Sequence, residues 1–320
     1  MQNTDQNKKI KVGIIGATGY AGAELVRLLL SHPCAELAAL GSVSYEGQKM
    51  EDVYPNLRGM CGITLAGEDE VVAASEVVFA SLPHGLSEPL AKKCEAQGKI
   101  FIDLGADFRL YDEADYNEWY KLPYNEKALH EKAVYSIPEL YREKTQGKKI
   151  IGNPGCYPTS IALGLAPLVK SGKADLKHII IDSKSGVTGA GRNPSQTTHY
   201  PDCNEAFSPY KIASHRHTPE IEQTLSDLAG EAVRVTFVPH LLPVNRGILS
   251  TMYVDLTEGM PLSELWELYR SFYAEERFVR VMQMGEIANI RNVRMSNYCD
   301  ISLHMDARTD RAIIVSAIDN

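Results

Sequence analysis

The sequence predicts an α/β protein of two domains: a Rossmann-type parallel-sheet domain, then an α+β domain with a mixed or antiparallel sheet. Three observations predict this class. The length of 320 residues exceeds what one small core needs. Short apolar runs alternate with helical stretches in the first half, whereas the second half has longer β-favouring runs without regular helical crossovers. We expect a nucleotide-binding domain over residues 1–153 and a catalytic and oligomerisation domain over residues 154–320.

The elements of the first half are apolar runs that end at turn residues. The first strand stops at Gly16, and the first helix ends before the Ser-His-Pro turn at 31–33. Such alternation predicts a parallel sheet with helices on both faces, in which ligands bind beyond the carboxyl ends of the strands. The predicted strands are 11–15, 36–40, 76–80 and 99–104, and the predicted helices are 24–30 and 88–97.

The second half suggests a sheet backed by helices. The turn at 307–310 is expected to join the last two strands as a hairpin. The open surface of such a sheet can meet a partner subunit, so we expect a homo-oligomer, either a dimer or a tetramer. The predicted strands are 178–185, 232–238, 247–256, 297–305 and 312–318, and the predicted helices are 219–228 and 261–276.

Composition argues against several classes of protein. The net charge of −8 argues against a nucleic-acid surface. No apolar run is long enough for a membrane helix, and the polar N-terminus, residues 1–9, lacks the apolar core of a signal peptide. The six cysteines form no Cys-x-x-Cys pair, and no histidine lies at metal-ligand spacing. We therefore expect reduced thiols, a cytoplasmic location, a small-molecule substrate and no metal site.

A glycine-rich loop joins the first predicted strand to the first predicted helix. Glycines in this position let backbone N–H groups approach a pyrophosphate at the positive end of the helix. Close packing of strand against helix is the alternative explanation. The position of the loop favours a nucleotide site, with the expected cofactor-binding residues Gly16, Thr18, Gly19, Tyr20, Ala21 and Gly22.

The end of the second strand indicates which dinucleotide binds. NAD enzymes usually carry Asp or Glu there for the ribose 2′-hydroxyl, but the first acidic residue here is Glu46. Ser42 and Ser44 can donate hydrogen bonds to a 2′-phosphate, or they are solvent-facing turn residues. We therefore expect NADP. A second cofactor-lining loop follows another strand end, and its expected contacts are Pro83 and His84.

The segment 152–159 places Cys156 on a tight Gly/Pro turn at the mouth of a helix. Unpaired N–H groups and the helix dipole favour an anion there, so the thiol is expected to ionise more readily than a free cysteine. Pro158 suits the first helical turn, where a missing N–H costs nothing. A buried structural cysteine is the alternative, but the Gly/Pro frame favours a catalytic nucleophile.

His217 is the expected acid–base partner of Cys156. It precedes a helix for which Thr218 and Pro219 are expected as the N-cap and the first residue. A nucleophile that forms a thioester needs a proton donor and acceptor, which histidine supplies near neutral pH. The helix end disfavours the charged ring and a neighbouring thiolate favours it, so the balance stays open. His215 is the weaker candidate of the two.

Two further features suggest ligand contacts. The loop 185–192 is rich in glycine, and Gly186 and Gly189 are expected to bring backbone amides close to the cofactor; a surface turn is the alternative. An anionic substrate needs cations, and guanidinium groups match the geometry of carboxylate and phosphate. The candidates are Arg109, Arg192 and Arg216, each of which can equally form a structural ion pair.

These motifs lie in order along nearly the whole chain, and the sequence resembles the N-acetyl-γ-glutamyl-phosphate reductase family of arginine biosynthesis. That family is similar to aspartate-semialdehyde and glyceraldehyde-3-phosphate dehydrogenases. The resemblance implies that Cys156 displaces phosphate from N-acetyl-L-glutamyl 5-phosphate, that NADPH reduces the thioester to N-acetyl-L-glutamate 5-semialdehyde, and that His217 shuttles the proton. Asn153, in the same turn, joins the expected substrate-binding residues. The matching segments are 16–22, 42–47, 82–87, 105–110, 152–159, 185–192, 215–223 and 238–251.

Two departures from the family pattern bear on the cofactor site. Val43 stands where family members commonly carry an arginine, and the chain stops at Asn320, before the Lys-Gly-Ala-Ala-Gly-type segment and final helix of the family. A lysine-pathway reductase acting on a carrier-bound substrate is one alternative, but no basic docking run is present. A non-catalytic nucleotide-binding protein is the other, suggested by the short C-terminus and opposed by the retention of Cys156 and His217.

Overall fold

The structure is a computed structural model that describes residues 8–320, so the expectation for the polar N-terminus lies largely outside the described residues. The chain divides into two compact units, one that ends at Pro154 and one that runs from Gly155 to Asn320. The strands are β1 (Ile10–Ile15), β2 (Ala35–Gly41), β3 (Leu65–Ala66), β4 (Val77–Ala80), β5 (Ile100–Asp103), β6 (Val134–Tyr135), β7 (Ile150–Gly152), β8 (Ala174–Gly186), β9 (Ser208–Pro209), β10 (Val235–Leu242), β11 (Ile248–Leu256), β12 (Val279–Val281), β13 (Cys299–Asp306) and β14 (Arg311–Ile318). The helices are α1 (Tyr20–Leu29), α2 (Met50–Val53), α3 (Glu68–Ala74), α4 (Ser87–Ala96), α5 (Glu113–Tyr120), α6 (Lys127–Lys132), α7 (Pro138–Thr145), α8 (Cys156–Lys170), α9 (Tyr200–Cys203), α10 (Thr218–Ala229), α11 (Leu262–Phe272) and α12 (Ile290–Val293).

The first unit is built on a parallel sheet in the order β3-β2-β1-β4-β5-β7-β6. Strand β1 lies between β2 and β4, so the strand order reverses there and a crevice opens at the carboxyl ends. Neighbouring side chains of β1 enter different cores. Ile14 belongs to a cluster with Val26 of α1, and Ile15 belongs to one with Val71 of α3 and Leu90 of α4. Helices therefore cover both faces, which confirms the predicted fold of this half.

The second unit contains a mixed sheet in the order β12-β13-β14-β11-β8-β10-β9. Strand β11 pairs antiparallel with β8 and β14, whereas β8 and β10 run parallel. The turn between Asp306 and Arg311 joins β13 to β14 as an antiparallel hairpin. The predicted mixed-sheet domain is confirmed.

Helix α8 packs on this mixed sheet through small residues. The Ser160 hydroxyl bonds the Ser250 hydroxyl of β11 at 2.9 Å, and the Ser316 hydroxyl of β14 donates to the Ser160 carbonyl at 2.8 Å. A Cβ on Gly164 would lie 2.4 Å from Cε of Met252, so the glycine lets this methionine side chain pack directly against the helix. These contacts hold the whole helix, and with it the residue at its start.

Two helix boundaries differ by four residues from the predictions, and the other helix ends differ by one. Helix α1 begins at Tyr20 rather than at 24, because Gly19 is extended and its carbonyl accepts the N–H of Ala23 at 2.9 Å. Helix α11 ends at Phe272 rather than at 276, because Tyr273 leaves the helical region with φ −102° and ψ 15°.

Candidate active site

The predicted nucleophile occupies the first position of a fifteen-residue helix in the second unit. Cys156 opens α8 after the N-cap residue Gly155, which is extended at φ −69° and ψ 160°. No side chain caps this end, and the first turn of α8 has no acidic residue. The N–H groups and the dipole of a helix start stabilise a thiolate. Cys156 is partly exposed and forms no disulfide, so its sulfur suits a nucleophile.

A buried carboxylate with no local signature in the sequence holds the turn before the cysteine. Glu220 Oε1 accepts the N–H of Gly155 at 2.7 Å, and Glu220 is fully buried. Glu220 lies in the first turn of α10, so this bond joins the start of α10 to the start of α8. In the sequence, Glu220 resembled an ordinary glutamate that favours a helix start, and only the fold reveals its partner.

His217 is the N-cap residue of α10, which corrects the predicted cap. Its carbonyl accepts the N–H of Ile221 at 3.0 Å, so Thr218 is already the first helical residue and Pro219 is the second. The shift puts the histidine itself at the positive end of the helix.

An aromatic cluster joins the segments that carry the two predicted catalytic residues. Tyr157, the residue after Cys156, has its ring centroid 5.9 Å from that of His217 and 5.4 Å from that of His215. The two histidine rings are 4.8 Å apart. Burial first of all, with a smaller contribution from the nearby Cys156, raises the pKa of the Tyr210 hydroxyl to about 12. The residue next to Cys156 and His217 itself thus belong to one cluster of rings within the second unit.

His215 has the geometry of a support for its neighbour. Burial, together with the positive charges of Lys211 and Arg216, lowers the pKa of His215 to about 4. Its Nδ1 accepts the backbone N–H of His217 at 3.1 Å, so the neutral ring carries its proton on Nε2. His215 therefore stays neutral near pH 7 and fixes the backbone of His217.

Positive charge gathers beside these histidines. Arg216 is half-buried, and burial together with the Arg216 charge lowers the pKa of Lys211. Cations in this arrangement attract an anion. Lys211 was missed because an isolated lysine in a loop gives no signal in the sequence. Arg192 is exposed in the loop after β8, and its substrate contact stays a prediction.

Arg109 and Asn153, two predicted substrate-binding residues, are tied to the backbone of the first unit. Arg109 is buried, and its guanidinium donates to the carbonyls of Asn153 at 2.9 Å and Leu104 at 2.8 Å. The N–H of Asn153 donates to the Asp103 carbonyl at 2.8 Å. These bonds tie Arg109 to backbone carbonyls rather than into the ion pair that was the alternative, and the substrate role of both residues stays a prediction.

The glycine loop of the first unit combines close packing with an open helix start. A Cβ on Gly16, at φ +81°, would lie 2.2 Å from the Ser81 carbonyl oxygen, and one on Gly22 would lie 2.3 Å from the Gly16 carbonyl oxygen. Gly19 is the N-cap of α1 and brings no capping side chain. The first N–H groups of α1, including those of Tyr20 and Ala21, have no acceptor within the helix, which fits a pyrophosphate.

The two predicted phosphate-binding serines lie in different environments. Ser42 is buried, and its hydroxyl bonds that of Thr18 at 2.8 Å, so it ties the glycine loop to the end of β2. Ser44 is exposed, as is Val43, 96% of whose surface is accessible. Of the two, Ser44 has the hydroxyl that is open to a 2′-phosphate.

The loop with Pro83 and His84 follows β4, the neighbour of β1, so it lies at the same edge of the sheet as the glycine loop. Pro83 is exposed and His84 is half-buried. The His84 ring packs edge-on against Tyr120 of α5, with centroids 5.2 Å apart.

Gly186 and Gly189 lie in the second unit, where each packs against its own chain. A Cβ on Gly186 would lie 2.6 Å from the Asn245 carbonyl oxygen, and one on Gly189 would lie 2.4 Å from Nδ2 of Asn320. Close packing against backbone explains Gly186, whereas Gly189 meets only side-chain atoms. The contact of both glycines with the cofactor stays a prediction.

Among residues 8–320, no group of three or more His, Cys, Asp and Glu side chains is arranged to hold a metal ion. None of the helices in that part of the chain has the length and apolar character needed to cross a membrane.

Family models and solved structures match the two units. The semialdehyde dehydrogenase NAD binding domain matches residues 11–148, and the semialdehyde dehydrogenase dimerisation domain matches residues 156–320. Aspartate semialdehyde dehydrogenase II from Vibrio cholerae, complexed with ASA, has a TM-score of 0.74 at 15% identity, over 98% of this chain and 94% of that chain. Aspartate semialdehyde dehydrogenase with NADP from Candida albicans has a TM-score of 0.69 at 16% identity, over 97% and 94%. At such identities these structures establish the fold alone.

Curated relatives are much more similar in sequence. Proteins named N-acetyl-gamma-glutamyl-phosphate reductase are 56% identical in Brachyspira hyodysenteriae, 52% in Clostridium beijerinckii and 51% in Moorella thermoacetica. Each alignment covers 97% of this chain and 90–91% of the relative. With both units matched in order, the chain belongs to the semialdehyde dehydrogenase family, in the group formed by the N-acetyl-gamma-glutamyl-phosphate reductases.

Proposed function

We propose that this chain reduces N-acetyl-L-glutamyl 5-phosphate to N-acetyl-L-glutamate 5-semialdehyde and inorganic phosphate with NADPH, as a step of arginine biosynthesis. The observation that carries the proposal is the start of α8, where Cys156 follows a turn that Glu220 holds from the start of the helix capped by His217. The names of relatives at 51–56% identity supply the substrate.

Cys156 performs the first half of the reaction. Its thiolate attacks the acyl carbon of the substrate, a carbon–sulfur bond forms, and the bond from that carbon to the phosphate oxygen breaks. Inorganic phosphate leaves and a thioester remains on Cys156. The helix start stabilises the thiolate before the attack, and covalent attachment keeps the acyl group fixed for the second half.

His217 performs the proton transfers of the second half. NADPH, when bound, supplies the hydride that reduces the thioester carbon. His217 gives a proton to the oxygen of the resulting intermediate and takes it back when the carbon–sulfur bond breaks. That step releases the aldehyde and restores the Cys156 thiolate. The His215 acceptor on the His217 backbone supports a fixed ring position for both transfers.

The residues that would hold the cofactor lie at the carboxyl edge of the parallel sheet. The start of α1 after Gly19 suits the pyrophosphate, and the exposed Ser44 suits the 2′-phosphate. Pro83 and His84 would line the same crevice. The lack of an acidic residue between Gly41 and Tyr45 favours NADP over NAD.

The cations beside the histidines would bind the anionic groups of the substrate. Arg216 and Lys211 are close enough for the charge of one to lower the pKa of the other. A bound phosphate or carboxylate would relieve that repulsion, because opposite charges stabilise each other at short range.

The experiment is the phosphate-dependent reduction of NADP⁺ by N-acetylglutamate semialdehyde, measured for the chain and for Cys156→Ser. We expect the variant to lose about a thousandfold or more in rate while it still binds NADPH in a fluorescence titration. Cys203→Ser is the matched control; Cys203 lies in the short helix α9, and we expect its rate to stay within about twofold of the parent. A parent chain that binds NADPH but shows no phosphate-dependent turnover would refute the proposal.

We also propose that the chain forms a homo-oligomer through the mixed sheet. The match of residues 156–320 to a dimerisation domain supports it. Ile180, Tyr253 and Ile313 lie side by side on β8, β11 and β14, and 43% of the Ile180 surface is accessible. A second copy would cover this apolar row. The mass in solution, measured by light scattering, tests the proposal, and a monomer at micromolar concentration would contradict it.

A cytoplasmic location completes the proposal. The six cysteines form no disulfide, which fits a reducing compartment. Fractionation of cells that produce the chain tests this location, and recovery from an extracytoplasmic fraction would contradict it.

A further inference from the structure

The loop that follows β4 is held at its far end by one buried carboxylate. Asp107 Oδ1 accepts the N–H of Gly85 at 2.7 Å, and its Oδ2 accepts the N–H of Ser87 at 2.8 Å. Asp107 is only 1% exposed. Ser87 opens α4, whose N-cap Leu86 has no side-chain acceptor, so Asp107 caps this helix from a distant part of the chain.

Asp107 is in turn fixed by helix α5. The hydroxyl of Tyr116 donates to Asp107 Oδ1 at 2.8 Å. Tyr116 stacks on Tyr120 at 5.1 Å, and Tyr120 is the ring that packs against His84. The loop therefore rests on α5 both through its backbone and through the side chain of His84.

A second buried carboxylate bonds the same turn. Asp103 Oδ1 accepts the hydroxyl of Ser87 at 2.6 Å, and Asp103 is the last residue of β5. Strands β4 and β5 are neighbours in the sheet. The loop after β4 is thus anchored by two side chains from β5 and the residues that follow it. Asp103 lies at the end of β5, and Asp107 lies just after it.

We propose that Asp107 is a positioning residue that sets the conformation of the 81–86 loop before the cofactor binds. The inference rests on the proposed function, because it assigns Pro83 and His84 to the cofactor crevice. A loop ordered in advance loses less conformational entropy on binding, so the affinity for NADPH depends on a side chain that does not touch it.

Asp107→Asn tests this, because the amide keeps the shape of the carboxylate but can accept only one of the two backbone N–H groups. We expect the Kd and the KM for NADPH to rise about tenfold, while kcat at saturating NADPH changes by less than about threefold. Hydrogen exchange of the 81–90 segment should become faster without cofactor. Glu88→Gln is the matched control, since Glu88 is a buried carboxylate of α4 that bonds Asn125 and His130 instead. We expect it to lower the melting temperature but to leave the Kd within about twofold.

An unchanged Kd for NADPH in folded Asp107→Asn, or an equal change in both variants, would overturn the proposal. If Asp107→Asn does not fold, Tyr116→Phe decides, because it removes only the hydroxyl that orients Asp107. We expect the Kd to rise about threefold in that variant, and an unchanged value would overturn the proposal. Failure of the proposed function would give a different result, because the parent chain itself would not bind NADPH. Hydrogen exchange of the 81–90 segment is measured without cofactor, so it reports on the loop alone.

Discussion

Glu220 connects two helix starts through a single carboxylate, and this contact matters more for the site than its place in the sequence suggests. The Gly155 N–H that it accepts belongs to the residue immediately before Cys156. A shift of that turn would move the sulfur relative to the His217 end of α10. Small displacements of reacting groups cost large factors in rate, so we assign Glu220 a positioning role.

Replacing Glu220 by alanine tests whether this side chain positions Cys156 in addition to stabilising the fold. The buried Gly155 N–H would lose its acceptor, at a cost of about 1–3 kcal/mol. We expect kcat to fall about tenfold to a hundredfold and the alkylation of Cys156 by iodoacetamide to slow. Glu220→Gln keeps an acceptor oxygen, so it should retain most of the kcat and most of the alkylation rate.

Glu222→Ala is the control for this prediction. Glu222 is a buried carboxylate on the same helix, but its Oε1 accepts the N–H of Val235 at 3.1 Å. We expect a similar loss of stability with an unchanged alkylation rate. Equal slowing of alkylation in the two variants would show that Glu220 has no special connection to Cys156.

The residues that the sequence could predict are those with a local signature. Cys156 follows a Gly/Pro turn, and the glycine loop begins where an apolar strand ends, so both were found. Asp107 and Glu220 have partners 20 and 65 positions away, and no local pattern identifies such pairs. Their side chains become informative only when the fold shows that they are buried and hydrogen-bonded.

Helix α8 contains a proline, and the hydrogen bond that this proline cannot form is replaced by a side chain from another part of the chain. Pro167 lies inside the helix and has no N–H, so the carbonyl of Leu163 loses its normal donor. The hydroxyl of Tyr273 donates to that carbonyl at 2.5 Å, and the hydroxyl of Tyr269 donates to the Gly164 carbonyl at 2.7 Å. Helix α11 and its C-cap residue thus complete the hydrogen bonding of the helix that carries Cys156.

A double-mutant cycle tests this compensation. Tyr273→Phe should lower the free energy of unfolding by about 1–3 kcal/mol, because it leaves a buried carbonyl without a donor. In a Pro167→Ala background the new backbone N–H can bond Leu163, so the same change should cost clearly less. Urea denaturation of the four proteins measures the coupling. Additive effects would mean that the tyrosine does not replace the missing donor.

At the scale of the whole chain, the two units carry buried groups that titrate in opposite senses. Burial raises the pKa of Asp103 in the first unit to about 6, and burial first of all lowers that of His215 in the second unit to about 4. Folded Asp103 binds its proton more tightly than the unfolded chain does, so its contribution is fully present below pH 3.8 and is lost as the pH rises through 6. His215 binds its proton less tightly when folded, so its contribution is present above pH 6.5 and is lost as the pH falls towards 4.

The contributions of Asp103 and His215 to the free energy of unfolding should largely cancel in the parent chain between pH 4 and 6. Replacing one of the two residues should therefore reveal the pH dependence that the other contributes. In the parent, His215 should add about 3 kcal/mol to the free energy of unfolding as the pH rises from 4 to 6.5. The His215→Gln variant should lack this increase. In the parent, Asp103 should subtract about 3 kcal/mol from the free energy of unfolding as the pH rises from 3.8 to 6. The Asp103→Asn variant should lack this decrease. Urea denaturation at half-unit steps of pH measures both, and the difference from the parent at each pH isolates the replaced group from every other titration. Because the two residues lie in separate units, the differences should add in the double variant. Difference curves that are flat with pH, or that slope in the same direction, would contradict the assignment of a neutral His215 and a proton-binding Asp103.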